Sequence, residues 1–380
     1  MHKFIIAFLL LYSVALKAND TITLPSVDSI TYQYYLTGEW DKLIETGLKA
    51  IDQGIDFKFL RQRIGYAYFI KKDYYGSQKH YEKALQFDKE DAITKEYLYY
   101  CALYTGNIAS VRYNASKLTA EQKKILLIKP FKPAASLDLE YNYKSNTSDA
   151  RSNPTYFRAG ISSYLGYRLT LYQSVSNYKQ TIDTSGVKQL DYLALANWSF
   201  SSHTTFILAY HYLNTDIEGY KYPGNLIFGR LSTVKNRFSF SLNGSYFKYD
   251  IGKFGQIGVQ AGVTLPGRRS IYFITSLNEM IESSNNRMIF SQVAGINLSK
   301  KLWAEGSVTF GNLQNYTDHN ALYVYNSVDP TVFRTGASLY WYLHKNLTLY
   351  GNYLYDTKEV EQTSGQYIQH SFLTGIIWKL

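Results

Sequence analysis

Alternation of apolar and polar residues runs from about residue 133 to the last residue, and no other feature of the chain restricts its fold as tightly. Leu137, Leu139, Tyr141 and Tyr143 interleave with Asp138, Glu140, Asn142 and Lys144. Ile257, Val259, Ala261 and Val263 alternate with Gln256, Gly258, Gln260 and Gly262, and Leu339, Trp341 and Leu343 with Ser338, Tyr340 and Tyr342. A period of two is that of a strand with one apolar and one polar face. The runs are about 10 to 12 residues, longer than the five or six usual in soluble sheets and long enough to cross a bilayer obliquely. Turn signals divide residues 133–380 into about 14 strands, from 134–144 through 301–314 to 367–380, and a miscounted hairpin would leave 12 or 16. Short connections such as Leu165-Gly166 and His344-Lys345 alternate with longer polar ones, which predicts a closed antiparallel transmembrane β-barrel. Tyrosine supplies 38 of the 380 residues, an excess that aromatic girdles at the lipid headgroups explain and a soluble β-sandwich does not.

The start of the chain reads as an address. His2-Lys3, the apolar run Phe4–Leu16 and the small Ala18 predict a signal peptide over residues 1–18. That run is too short to span a membrane as a helix, and no later segment is apolar enough, so a membrane domain must be the barrel. The lone cysteine, Cys101, excludes a disulfide framework and any cysteine-based metal site. The net charge of +10 is spread along the chain with no basic cluster, which argues against nucleic acid as a partner.

Residues 19–126 carry helical periodicity that repeats after about 34 residues, the length of a helix-turn-helix solenoid unit. The clearest copy contains Ile64-Gly65, Tyr68, Asp73-Tyr74, Tyr81, Ala84 and Leu85. An earlier copy shows Gly38, Trp40, Asp41 and Ala50-Ile51, and a later one Leu98, Ala102, Gly106 and Leu118. These positions resemble the tetratricopeptide repeat. The resemblance implies a short α-solenoid whose groove would be lined by Tyr66, Phe69 and Ile70, although the same residues would serve equally for packing under the neighbouring helix. Acidic and basic residues nearly cancel here, which favours a protein or glycan partner over a polyanion. The expected organisation is α+β multidomain: signal peptide 1–18, helical repeats 19–126, linker 127–132 and barrel 133–380.

In the barrel, assigning the apolar rows to lipid turns Arg158, Arg168, Arg230 and Arg334 inward, opposed by Asp138, Glu140 and Glu305. The arginines would form a selectivity ring or pair with those carboxylates. Inward Tyr340, Tyr342 and Tyr350 would stack on sugar rings or fill space. His211 should also point inward. No Gly-x-Ser-x-Gly, His-Glu-x-x-His, phosphate-loop or dinucleotide motif is present, so neither catalysis, a metal nor a cofactor is expected. Phe372, Thr374, Ile376, Trp378 and Leu380 place an apolar or neutral residue at every second position back from the end. They resemble the carboxyl-terminal assembly signal that outer-membrane proteins present to the barrel-insertion machinery.

Export signal, short solenoid and terminal barrel together resemble the YaiO-type outer-membrane barrel proteins. The resemblance implies a barrel in contact with outer-membrane lipid and helical repeats in the periplasm. A looser similarity is to exporters of poly-N-acetylglucosamine and cellulose. The leading expectation is transport or export of a polar polymer or solute. The alternatives are a non-conducting scaffold that binds partners through its helical groove, and a lipid-modifying barrel enzyme.

Overall fold

A computed structural model describes residues 23–128, 133–250, 252–265, 267, 269–282, 286–360 and 365–380. The expected signal peptide and residues 129–132 of the expected linker lie outside the described residues. By its contacts the chain divides into two compact units, one ending at Thr105 and one from Gly106 to Leu380.

Among the described residues the first unit contains five helices, α1 (Leu24–Thr37), α2 (Trp40–Asp52), α3 (Lys58–Ile70), α4 (Tyr74–Phe87) and α5 (Ala92–Thr105). Helix α1 begins with a capping box between Thr23 and Ser26 and stops at Gly38, whose φ of 73° closes the last turn. Asp73 caps α4 by accepting from the Gly76 amide. Starts at Leu24, Lys58 and Ala92 are 34 residues apart, so the repeat read from the sequence is a repeat of helix pairs. Each pair leaves an apolar stripe that only the next pair can bury. Accordingly Val27, Leu43, Ala50, Leu60, Ile64 and Ala67 form one core, and Tyr81, Leu98 and Cys101 another. Gly65 permits the close crossing of α3 on α4, since a Cβ there would lie 2.9 Å from the Tyr81 ring. Burial raises the Cys101 thiol to about 12, so it packs as a small apolar group. Behind α3, Arg61 bonds Asp56 and directs Nη1 at His80 Nδ1, 3.3 Å away.

The second unit opens with α6 (Ile108–Lys117) and α7 (Ala120–Ile125) and continues as strands. Fourteen of these form a closed antiparallel barrel: β1 (Ala134–Asn146), β2 (Thr155–Leu165), β3 (Leu169–Ile182), β4 (Ser185–Ser199), β5 (Thr204–Ile217), β6 (Tyr220–Lys235), β7 (Phe238–Tyr249), β8 (Gly252–Thr264), β9 (Tyr272–Ile281), β10 (Arg287–Ser299), β11 (Leu302–Phe310), β14 (Thr331–His344), β15 (Leu347–Glu359) and β16 (Gln366–Lys379). The remaining two, β12 (Thr317–Asp318) and β13 (Tyr323–Val324), pair with each other inside the connection from β11 to β14.

Each barrel strand pairs with the next barrel strand along the chain, β11 with β14 across the hairpin, and β16 closes the barrel on β1. At that seam Trp378 faces Leu137, Ile376 faces Leu139 and Phe372 faces Tyr143, so two outward apolar rows meet. Outward residues such as Leu139, Leu242, Ile257 and Trp341 are exposed, a band that water would not tolerate and lipid would. The inward rows carry Asn142, Ser174, Asn243, Asn278, Gln369 and Ser371, all buried. Helices α6 and α7 rest on the short-turn end of the barrel. Arg112 lies 4.1 Å from the Tyr164 ring, and Lys123 lies 4.7 Å from the Tyr167 ring.

Candidate functional site

The site is the lumen, and its principal occupant is the chain itself. The segment from Gly311 to Pro330 turns inward from the long-loop end instead of standing outside the barrel. It folds as a small hairpin in which Thr317–Asp318 pair with Tyr323–Val324. The turn holds three consecutive residues, His319, Asn320 and Ala321, at positive φ (49°, 60° and 68°). Asn and His enter that backbone more readily than other non-glycine residues, but three in a row ending in alanine need support from their surroundings.

Packing supplies that support. Ala321, fully buried, joins Leu193, Ile207, Ala209, Leu213, Leu226, Phe228 and Phe247 from β4–β7, with Leu322 and Val324 alongside. On the other flank Leu313 and Tyr316 pack against Met280 and Ile289. Many polar groups of the hairpin are satisfied by the wall, although Asn320 Oδ1 at the turn is buried with no partner among the described residues. Gln256 accepts from the Thr317 amide at 2.9 Å and donates to the Thr317 carbonyl at 3.1 Å. His211 Nδ1 lies 2.7 Å from the Ala321 carbonyl oxygen. Tyr323 donates to Glu140 at 2.8 Å, and Asn326 to Gln189 at 2.8 Å. At the base, Asp329 accepts from Arg151 at 2.9 Å and from Tyr367 at 3.0 Å, while its carbonyl accepts from Lys358 at 2.6 Å. Buried groups held from this many strands cannot be released singly without leaving unpaired partners.

Beside this insertion a cavity of about 1060 Å³ remains, lined by residues including Asn142, Gln189, Asn243, Ser276, Asn352 and Gln369. The candidate arginines divide within it. Arg158 donates to Glu140 at 2.8 Å and lies 3.6 Å from Asp138. Arg334 makes a two-pronged pair with Asp356 at 2.6 and 2.8 Å. Both charges are therefore compensated. Arg230 lines the cavity with its Nε buried and without a partner among the described residues.

Arg168 is a correction. It stands in the tight turn between β2 and β3, outside the alternating rows, and donates to the Ser199 and Phe200 carbonyls at 2.9 and 2.8 Å beneath the Trp198 ring. Gly166, at φ 69°, bends the chain two residues earlier, which removes Arg168 from the strand parity that pointed it inward. Tyr340 and Tyr350 line the cavity. Tyr342, 44% exposed, stands beyond it near the short-turn rim. Glu305 also faces the cavity, accepting from Tyr272 and, at 3.2 Å, from Trp303 Nε1.

His211 is inward and buried, 3.9 Å from Asp191, too long for a hydrogen bond. Ser176 donates to that same Asp191 at 3.2 Å, so acid and hydroxyl pair without the imidazole between them. In the helical unit, Tyr66 is half-buried against Tyr35, Trp40 and Tyr97, with ring centroids at 5.2, 5.5 and 5.7 Å. Phe69 packs on Tyr74, Tyr97, Tyr100 and Tyr104, and Ile70 is exposed.

The hairpin and its receiving wall were missed by the strand pattern, which carried residues 301–314 as one strand. A signal was present. In β4–β6 both faces are apolar, as in Leu193-Ala194-Leu195-Ala196 and Leu226-Ile227-Phe228, and a wall with lipid on one side needs an apolar partner on the other.

No family model matches the chain, and no curated protein matches it. Solved structures to which it is similar include a bacterial polysaccharide outer membrane secretin, at 7% identity over 65% of this chain and 99% of that one with a TM-score of 0.43. The Acinetobacter baumannii outer membrane protein Omp33 matches at 8% identity over 65% and 99%, with a TM-score of 0.39. The CymD monoaromatic hydrocarbon channel matches at 8% identity over 72% and 91%, with a TM-score of 0.44.

Proposed function

We propose that this chain is an outer-membrane barrel that passes a polar polymer, such as a glycan, or a polar solute, through a lumen stopped by its own folded-in hairpin, and that it catalyses no reaction. The observation that carries this reading is the combination of a cavity of about 1060 Å³, with polar groups such as Asn142, Gln189 and Asn243 on its wall, and an insert seated by contacts to β1, β4–β7, β9 and β10. A scaffold has no need of inward polar rows around a lumen insert, whereas a gated passage has. The 34-residue helix repeat supports a tetratricopeptide-like module. The position of α6 and α7 on the short-turn end supports its placement in the periplasm, because barrels keep short turns on that side.

The test is single-channel conductance in a planar bilayer. The whole chain should be closed or weakly conducting. A variant with residues 314–328 replaced by a short Gly-Ser bridge should conduct strongly, since β11 and β14 are already paired up to Phe310 and Phe333. A folded variant that stays closed would favour the scaffold. Release of fatty acid or acyl transfer in detergent by the purified chain would make it an enzyme instead.

A further inference from the structure

Between the hairpin and the short turns, the wall from β9 round to β1 carries aromatic rings laid against the sheet. Tyr272 and Trp303 stack with centroids 5.4 Å apart and planes 22° apart. Tyr340 and Tyr350, cross-strand partners, stack at 5.9 Å and 24°. The sheet makes room for them. A Cβ on Gly295 would lie 2.3 Å from the Tyr272 ring, and one on Gly375 would lie 2.1 Å from the Tyr350 ring. Each of these two rings thus lies over a glycine of a neighbouring strand, the packing that covers an otherwise bare stretch of backbone.

Their hydroxyls are anchored as well: Tyr272 donates to Glu305, and Tyr350 donates to Glu140 at 2.8 Å. The glycines and the stacked neighbours cover only part of each ring: Tyr272, Tyr340 and Tyr350 are half-buried, and what remains open borders the cavity. Tyr272, Tyr340 and Tyr350 line the cavity and take no part in either apolar cluster that seats the hairpin. The charge of the belt is also one-sided. Asp138 and Glu140 share the single guanidinium of Arg158, and Glu305 accepts hydrogen bonds from the neutral Tyr272 and Trp303.

We propose that this belt is a binding site for non-acidic oligosaccharides, neutral or amino-bearing. The CH faces of pyranose rings would stack on Tyr272, Tyr340 and Tyr350, and their hydroxyl or ammonium groups would donate to Glu305. The inference rests on the passage reading and names its substrate class. Flat aromatic faces beside carboxylate acceptors suit a ring that is apolar on its face and rich in donors at its edge. The excess of carboxylates over the one guanidinium in the belt disfavours uronic acids.

Titration calorimetry on the whole chain in detergent tests it with three probes of equal length: maltohexaose, a glucosamine hexamer and hexagalacturonate. The first two should bind and the third should not. Tyr340→Leu with Tyr350→Leu should weaken both by about tenfold or more, while Tyr340→Phe with Tyr350→Phe keeps the faces and should retain most of the affinity. Glu305→Gln should weaken the glucosamine oligomer more than maltohexaose. Hexagalacturonate binding as tightly as either, or full affinity in the leucine variant with its heat-modifiable migration intact, would overturn the proposal. Oligosaccharide binding by a chain whose hairpin-deleted form does not conduct would sink the passage and keep the belt. Conduction without binding of any probe would do the reverse.

Discussion

Two buried groups show how much single residues carry. Asp356 is fully buried, and its charge is tolerated because Arg334 meets it in a two-pronged pair beneath the Tyr325 ring. Arg334→Ser should therefore act on stability before it acts on ion preference, because it strands a buried carboxylate at a cost of about 3–5 kcal/mol. The unfolding temperature of the barrel, read from heat-modifiable migration, should fall, and adding Asp356→Asn should restore most of the loss. In the helical unit, burial and the neighbouring Arg61 depress His80 from 6.5 to about 4. A base with a lowered folded pKa is neutral in the fold while the unfolded chain takes up a proton. Its contribution is complete above pH 6.5 and is lost as pH falls toward 4, to a limit on the order of 3 kcal/mol. Amide hydrogen exchange of α3 and α4 in the whole chain, corrected for intrinsic rates, should show weaker protection at pH 5 than at pH 7. His80→Gln should flatten that dependence.

Among the elements, the hairpin and the last strand do different work. The hairpin is attached at its base through Asp329 and at its side through Tyr323. Asp329→Asn with Tyr323→Phe keeps the apolar tip on β4–β7 but removes the acceptor charge and the hydroxyl. Bilayer current from this variant should flicker between the closed level of the whole chain and the open level of the hairpin deletion; a trace identical to the unmodified chain would show that the apolar tip alone holds the plug. The last strand closes the barrel through Phe372, Ile376 and Trp378 against Tyr143, Leu139 and Leu137. Replacing Phe372 and Trp378 with Asp puts charge on the outward row at about 2–4 kcal/mol each near mid-bilayer, less toward the rim. Outer-membrane levels of that double variant should drop sharply in fractionated cells.

For the molecule as a whole, a barrel with apolar rows outside and polar rows inside is stable only where lipid meets its outer face. The purified chain should migrate faster on gels when unboiled, and it should remain with outer-membrane fractions when spheroplasts are washed. Full release into the wash would contradict the membrane reading. The two compact units should also respond separately: the pH dependence attached to His80 belongs to the helices, and the barrel has its own thermal transition.

The strand pattern was readable from residues because lipid imposes the same demand on every strand. Alternation from Leu137 to Trp378 had to place apolar side chains outward, and with the turn signals that periodicity yields a closed barrel of about 14 strands and the facing of most residues within them. The 34-residue repeat was readable for a similar reason, since each helix pair must bury the same stripe. What lay inside the barrel was not. Whether Arg334 is a free cation depends on Asp356 standing beside it on β15, a pairing set by register. Whether residues 311–330 project outward or fold inward depends on an apolar patch on β4, β5, β6 and β7, consecutive strands that lie far before this segment in sequence and come to face it only when the sheet curls into a barrel. Local pattern records the solvent each face sees, whereas occupancy of the lumen is decided by contacts between distant segments, which exist only after the barrel has closed.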